Sequence, residues 1–117
     1  MTHELEINGK TYEFSFGMAF VRDIDKRKTR STGGIDQDIG LAYYMAMVVS
    51  EKNLDALFTV LRTANKGFTP RLEQGAFDAW VDDEDTDIEA VFNEVEGFFA
   101  RSNCCKTMYK RITEVTE

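Results

Sequence analysis

Apolar positions recur with two different periods along the chain. Near its start, five apolar residues alternate with mostly polar ones on either side of an Asn8-Gly9 dipeptide: Leu5, Ile7, Tyr12, Phe14 and Phe16. A period of two predicts strands, and Asn-Gly is the dipeptide favoured in the tight turn of a hairpin. The segment therefore predicts a β-hairpin over about residues 4–16. Its apolar face must pack on the rest of the chain, because an isolated hairpin is marginally stable in water.

From Gly17 onward, apolar residues are spaced three and four positions apart, which predicts helices. The apolar stripes lie in six segments, over residues 20–24, 41–49, 54–61, 72–80, 88–99 and 105–112. The stretch Thr29–Gly34 is rich in Thr, Ser and Gly and is interpreted as a loop. The pattern predicts an α+β fold in a single domain of residues 1–117. In that fold the N-terminal hairpin is followed by five or six short helices over about residues 17–113.

The stripes also predict which side chains meet in the interior. The segment Leu41–Val49 is apolar all round, which favours a central, buried helix over a strand. The other stripes should pack around it with their apolar faces inward. We expect one core that includes Phe20, Leu57, Leu61, Trp80, Phe92 and Val95.

Three positions carry the residue types that begin helices. Asn53 precedes a clean apolar stripe and is interpreted as an N-cap, since its side chain can accept a backbone N–H bond of the first turn. Thr69-Pro70 predicts a second start, with a capping residue before proline at the first helical position. Thr86 and Glu89 have the spacing of a capping box and predict the start of the most periodic helix.

Length and charge narrow the classes of function. A chain of 117 residues suits one domain, and its formal net charge is −7. Ten acidic residues and no Lys or Arg lie between Leu72 and Ala100, whereas five basic residues lie between Arg22 and Arg30. We interpret the basic cluster as a solvated helix face and loop. Because phosphate binding needs a surplus of cations, no nucleic-acid partner is expected.

No membrane segment is expected either. The longest apolar run, Leu41–Val49, has nine residues, whereas a spanning helix needs about 20. The opening MTHELEINGK lacks the apolar stretch of a secretory signal. We therefore expect a cytoplasmic protein, in which the adjacent Cys104 and Cys105 stay reduced as small, buried or half-buried thiols.

The residues typical of catalysis are scarce. The single histidine, His3, lies in a segment expected to be mobile and has no predicted partner. The sequence lacks a Walker-type loop, a GxGxxG fingerprint and an HExxH motif, and Gly33-Gly34 is too short to cradle a phosphate. These observations predict a protein without catalytic residues or cofactors, which acts by binding other proteins.

One acidic pattern invites a comparison with calcium-binding loops. Four carboxylates occupy positions 1, 3, 5 and 12 of such a loop: Asp83, Asp85, Asp87 and Glu94. Position 6 of that loop requires glycine for its sharp turn, and here it is Ile88. We therefore expect no metal site and interpret the acidic residues as charges that stabilise the start of a helix.

In order along the chain, the segments resemble a known family. The opening hairpin with its glycine step is LEINGKTYEFSFGMAFVRDIDK, and the apolar helix after it is GIDQDIGLAYYMAMVV. The later segments are NLDALFTVLRTA, FTPRLEQGAFDAWVDD and DIEAVFNEVEGFFARSN. In this order and spacing, nearly the whole chain resembles the tail assembly chaperones of long-tailed phages and prophages.

The resemblance implies a non-enzymatic chaperone that acts in the bacterial host cytoplasm before the tail exists. Such a protein would bind the tape measure protein and keep it soluble while tail tube subunits polymerise around it. The major tail protein is a second candidate partner, and self-association stays open. A different class remains as an alternative, an acidic phage-encoded inhibitor of the DNA-mimic type, as does a small enzyme with an unfamiliar site.

The resemblance also directs attention to the end of the chain. It implies a longer, frameshifted form that continues near the C-terminus, which requires this end to reach solvent. The apolar stripe there has few partners in the sequence and should pack at the edge of the domain. We therefore predict that Met108, Tyr109 and Ile112 lie beside the partner-binding surface. The alternative is that these three residues seal the core from below.

Overall fold

A computed structural model describes the backbone of residues 2–116 and the side chains of residues 2–114. The described part contains four strands and six helices, which confirms the predicted α+β class. The strands are β1 (His3–Ile7), β2 (Lys10–Phe14), β3 (Thr29–Thr32) and β4 (Ile35–Asp38). The helices are α1 (Met18–Asp25), α2 (Gly40–Val49), α3 (Leu54–Ala64), α4 (Gln74–Asp82), α5 (Ile88–Arg101) and α6 (Lys106–Thr116).

The first hairpin, β1–β2, has the predicted turn and register. Asn8 and Gly9 both have positive φ angles, of 52° and 80°, as a type I′ turn requires. Leu5 lies opposite Tyr12 in the antiparallel pairing. Both side chains are buried, together with Ile7 and Phe14, so one face of the hairpin packs on the helices as expected.

The helix α2 is the centre of the helical part. It packs against α1, α3, α5 and α6, and Met45 and Val48 within it are almost completely buried. The predicted core is confirmed, since all six expected members belong to one buried cluster: Phe20, Leu57, Leu61, Trp80, Phe92 and Val95. The last helix, α6, packs on this central helix and on α5.

The helix starts agree with the sequence at one of three positions. The Asn53 side chain accepts the backbone N–H of Ala56 at 2.8 Å, which confirms the N-cap. The prediction at Thr69-Pro70 is wrong, because α4 begins only at Gln74. The prediction at Thr86 is wrong by one residue, because the side chain of the next residue, Asp87, caps α5.

A buried asparagine explains why α4 starts late. The Asn65 side chain is completely buried and donates to the carbonyl groups of Glu13 at 3.0 Å and Pro70 at 3.2 Å. Its oxygen accepts the backbone N–H of Leu72 at 2.7 Å. These bonds connect the segment before α4 to β2 and satisfy the Pro70 carbonyl and the Leu72 N–H without a helix.

A second hairpin replaces the expected loop at Thr29–Gly34. The strands β3 and β4 pair over residues 29–38, and Gly33 and Gly34 have φ angles of 60° and 81°, as a tight turn requires. All eight strand residues are exposed. The sequence does not predict this hairpin, because both of its strand faces are mainly polar and lack the apolar alternation that marks a half-buried strand.

The two ends of the second hairpin lie close together where they join the rest of the domain. At its base the backbone N–H of Ile39 donates to the carbonyl of Lys28 at 2.8 Å. The start of α2 lies directly beyond, where the Leu41 N–H donates to the Asp25 carboxylate at 2.9 Å. The hairpin is therefore an appendage on the junction between α1 and α2 and contributes no residue to the buried core.

Candidate partner-binding surface

The turn between α5 and α6 fixes the position of the last helix. The Ser102 hydroxyl donates to the carbonyl of Phe16 at 2.7 Å, and the buried Cys105 thiol lies 3.7 Å from the same oxygen. These contacts join the turn to the segment that follows the first hairpin. Cys104, by contrast, is exposed, so the expectation of a buried or half-buried thiol is confirmed for Cys105 and wrong for Cys104.

The helix α6 presents its three predicted site residues on two different sides. Met108 and Ile112, which are one turn apart, line a groove next to α2. Tyr109 faces α5, where its hydroxyl lies 3.1 Å from a Glu96 carboxylate oxygen and its ring centroid lies 6.4 Å from that of Phe99. Burial and the hydrogen bond with Glu96 both raise the pKa of the Tyr109 phenol, which therefore donates to Glu96.

All three side chains are half-buried and pack against the core. The structure thus brings Met108 and Ile112 together on one surface and places Tyr109 on the other side of the helix. Tyr109 holds α6 on α5, since its ring and hydroxyl both contact that helix. It can therefore set the position of the groove wall without lining the groove.

The groove between α2 and α6 has a volume of about 400 Å³, within the range of sites that take small ligands or side chains. Small residues form its floor: Ala42 and Ala46 of α2 and Ser50, which caps the C-terminal end of that helix. Met108 and Ile112 form one wall, and Ile39 lies at the end nearest the second hairpin. The groove is thus mainly apolar and runs along the length of α2.

Two arginines form the charged rim of the groove. Arg30 projects from β3 and Arg111 from α6, and both lie among the described lining residues, which include no carboxylate. Within the described side chains, neither arginine forms an ion pair. The rim is therefore positively charged in a chain whose net charge is −7.

The alternation of the second hairpin separates its charges. The Thr29 and Ser31 hydroxyls bond the carboxylates of Asp38 and Asp36, so these four side chains share one face. Arg30 lies on the opposite face, where its guanidinium is 3.3 Å from the Gln37 side-chain oxygen. The carboxylates of the hairpin thus point away from the face that lines the groove.

Most lining residues of the groove were missed by sequence reasoning. Arg30 lies in a segment whose composition predicts a loop, and Ala42 and Ala46 belong to a helix whose sequence is apolar on every side. One usable signal was present, since Ala42, Ala46 and Ser50 follow each other at four-residue spacing. Small residues one helical turn apart mark a helix face that other atoms can approach closely.

The predicted mobility of His3 is wrong. His3 lies in β1, where its ring stacks on Phe98 with centroids 4.6 Å apart. Desolvation by burial and the nearby charge of Arg101 both lower its pKa, so the ring is neutral at pH 7. The ring therefore extends the aromatic packing between β1 and α5.

The acidic segment before α5 forms local caps. The Asp83 carboxylate accepts the backbone N–H of Asp85 at 2.9 Å, and Asp87 accepts that of Ala90 at 3.1 Å. Among the residues that the structure describes, His, Cys, Asp and Glu nowhere cluster in a group of three or more that could hold a metal ion. Likewise, the described part of the chain contains no helix long and apolar enough to cross a membrane.

Comparison with known families supplies the context for this surface. A family model described as phage tail assembly chaperone protein, TAC, matches residues 4–114. The chain belongs to the phage tail assembly chaperone family. No curated protein and no solved structure matches the chaperone. The matched range runs from β1 into α6 and includes both arginines of the groove rim.

Family membership gives the chaperone a non-enzymatic role in phage tail assembly. It also implies that the chaperone binds phage tail proteins. The surface through which it does so must lie outside the buried core. The groove between α2 and α6 is a candidate, because it combines apolar walls with a charged rim.

Proposed function

We propose that the chaperone binds the tape measure protein of its phage and keeps it soluble until the tail tube polymerises around it. The observation that carries the proposal is the family match over residues 4–114, nearly the whole chain. The order of segments along the sequence, from the Asn8-Gly9 hairpin to the last helices, supports the same role.

The helix α6 is the proposed contact region. Met108 and Ile112 are half-buried at the groove, where part of each side chain remains accessible. Tyr109 supports the same helix from the α5 side. A partner that binds here would cover the exposed parts of Met108 and Ile112, which gives an apolar contribution to affinity in proportion to the area buried.

Co-expression tests the proposal directly. The tape measure protein should accumulate in the insoluble fraction when expressed alone and shift to the soluble fraction when the chaperone is co-expressed. A tag on either protein should then recover both. An unrelated acidic protein of similar size, co-expressed at the same level, controls for general effects of a soluble companion. Equal solubility with and without the chaperone, and no recovered complex, would contradict the proposal.

Hydrogen exchange tests the proposed contact region. Amide protection in α6 should be lower than in the Phe92 segment of α5 in the free chaperone and should rise when the tape measure protein is bound. Protection in α6 that is already equal to that of α5 without partner would favour a purely structural role for Met108 and Ile112.

The cytoplasmic location and the major tail protein as a second partner stay predictions.

A further inference from the structure

The groove has properties that define its occupant, and this inference rests on the proposed function. We infer that the groove between α2 and α6 binds an amphipathic helix of the tape measure protein, in which acidic residues flank an apolar stripe. The apolar stripe lies on the small residues of α2, and the carboxylates pair with Arg30 and Arg111.

The floor of the groove has the geometry that accepts a helix. Ala42 and Ala46 of α2 and the C-cap residue Ser50 are spaced four residues apart, and all three line the groove. Small side chains in this spacing leave a shallow row that is inclined by about 26° to the helix axis. The ten residues of α2 extend for about 15 Å, which matches about three turns of a second helix laid alongside.

The walls of the groove select apolar side chains. Met108, Ile112 and Ile39 surround a volume of about 400 Å³, which holds a few aliphatic side chains but not a whole helix. A bound helix would therefore lie over the groove and insert residues spaced three or four apart. The unbranched Met108 side chain can adjust its rotamers to side chains of different shape.

The rim selects negative charge next to those apolar side chains. Arg30 and Arg111 come from different elements, the second hairpin and α6, and both line the same groove. Their guanidinium groups can bind carboxylates with two parallel hydrogen bonds. A second copy of the chaperone is disfavoured as the occupant, because two chains that each carry a net charge of −7 repel each other.

The second hairpin lies beside the groove and contributes no residue to the buried core. Its strand residues are exposed, and its base is closed by the bond from Ile39 to Lys28. The face that carries Arg30 is the one that meets the groove. The hairpin thus extends the groove beyond the end of α2 and supplies one of its two positive charges.

Charge reversal on α6 tests the inference with a matched control. Arg111→Glu changes the groove rim, whereas Lys110→Glu makes the same change at an adjacent, exposed position away from the groove. The probe is the tape measure protein, co-expressed with each tagged variant and recovered with it. Arg111→Glu should recover at least about tenfold less tape measure protein, because the new carboxylate repels the carboxylates of the bound helix, and Lys110→Glu should recover the wild-type amount.

Two further variants test the apolar floor and the hairpin. Ala46→Gln places a longer polar side chain in the groove, and its matched control is Ala79→Gln on the exposed side of α4. Replacement of residues 29–38 by Gly-Gly removes the hairpin and its arginine while the bonded base stays closed. Ala46→Gln and the hairpin deletion should each reduce recovery of the tape measure protein, with far-ultraviolet circular dichroism verifying that the helices remain.

The outcomes separate this inference from the proposed function. If the wild-type chaperone recovers the tape measure protein and the groove variants recover it equally well, the groove assignment is overturned and the chaperone function stands. If the wild-type chaperone recovers none, both are overturned. If Arg111→Glu instead abolishes self-association in sedimentation experiments and leaves recovery intact, the groove belongs to a second copy and the inference is wrong.

Discussion

Gly40 lies directly against the backbone carbonyl group of Ile24. A Cβ atom on Gly40 would be 2.6 Å from the carbonyl carbon of Ile24 and 2.8 Å from the Cα of Asp25, and closer still to the Ile24 oxygen. The next residue, Leu41, donates its backbone N–H to the Asp25 side chain. The C-terminal end of α1 therefore both contacts and caps the N-terminal end of α2, which places the central helix.

Gly40→Ala should destabilise the protein, because the added methyl group would overlap backbone atoms of α1. These atoms can shift only if the whole end of that helix shifts. Forced overpacking of this kind costs about 1–3 kcal/mol or more. We expect a loss in the free energy of unfolding of about 3 kcal/mol, measured by urea denaturation. The matched control is Gly75→Ala in α4, where a Cβ would meet nothing within 4 Å. It should raise stability by about 0.5–1 kcal/mol, since alanine favours helices. Equal effects of the two substitutions would contradict the close contact of Gly40.

Replacement of Asn65 tests the polar connection between β2 and the segment before α4. Asn65→Leu keeps a similar volume but leaves the Leu72 N–H and the Glu13 carbonyl without their partner. A buried polar group without a partner costs about 1–3 kcal/mol, so a loss of about 3 kcal/mol is expected for the pair. The comparison is Asn53→Ala at a half-buried position, which removes one N-cap bond and should cost about 1 kcal/mol. A smaller effect at Asn65 than at Asn53 would show that the buried network contributes little.

The free energy of unfolding should decrease as the pH falls, in part because of His3. Burial and Arg101 lower the pKa of His3 in the folded state below its ordinary value of 6.5. The unfolded chain therefore takes up a proton first, and this group's contribution to stability decreases as the pH drops through about 6.5. His3→Phe keeps a ring against Phe98 without a titrating group. The urea midpoint of the wild type should fall more steeply between about pH 7.5 and 5.5 than that of His3→Phe. Parallel pH profiles would contradict the shift.

Truncation of Phe92 tests the core. Its side chain is buried in the cluster that joins α5 to the central helix, and Phe92→Ala should cost about 3–5 kcal/mol. Such a loss is a large share of the stability of a small domain. Thermal unfolding should show a clearly lower midpoint. An unchanged midpoint would mean that Phe92 does not pack as the structure shows.

The fold was predictable wherever apolar periodicity decided it. The first hairpin follows from alternation around Asn8-Gly9, and the six helices follow from stripes such as the one that contains Phe92 and Val95. The start of α4 was not predictable, because the buried Asn65 binds the segment before that helix and also the carbonyl of Glu13, which is 52 residues away in the sequence. Local capping patterns cannot reveal such tertiary hydrogen bonds.

The candidate site was only partly predictable. The stripe of Met108 and Ile112 on a weakly supported helix pointed to α6, but Tyr109 shares that stripe and faces α5 instead. The other side of the groove comes from α2 and the second hairpin. The pattern of a fully apolar helix does not show which face stays uncovered, and a polar hairpin has no periodic apolar signal.

The labelling rates of the two adjacent thiols can report how fast the domain opens at the turn between α5 and α6. Cys104 is exposed and should react with a thiol reagent at once, whereas Cys105 is completely buried and its pKa is raised by burial. Because the thiolate is the reactive form, Cys105 can react only after the turn between α5 and α6 has left Phe16. The rate at which the mass increases from one label to two therefore measures the rate at which α6 is released, and no engineered reporter is needed.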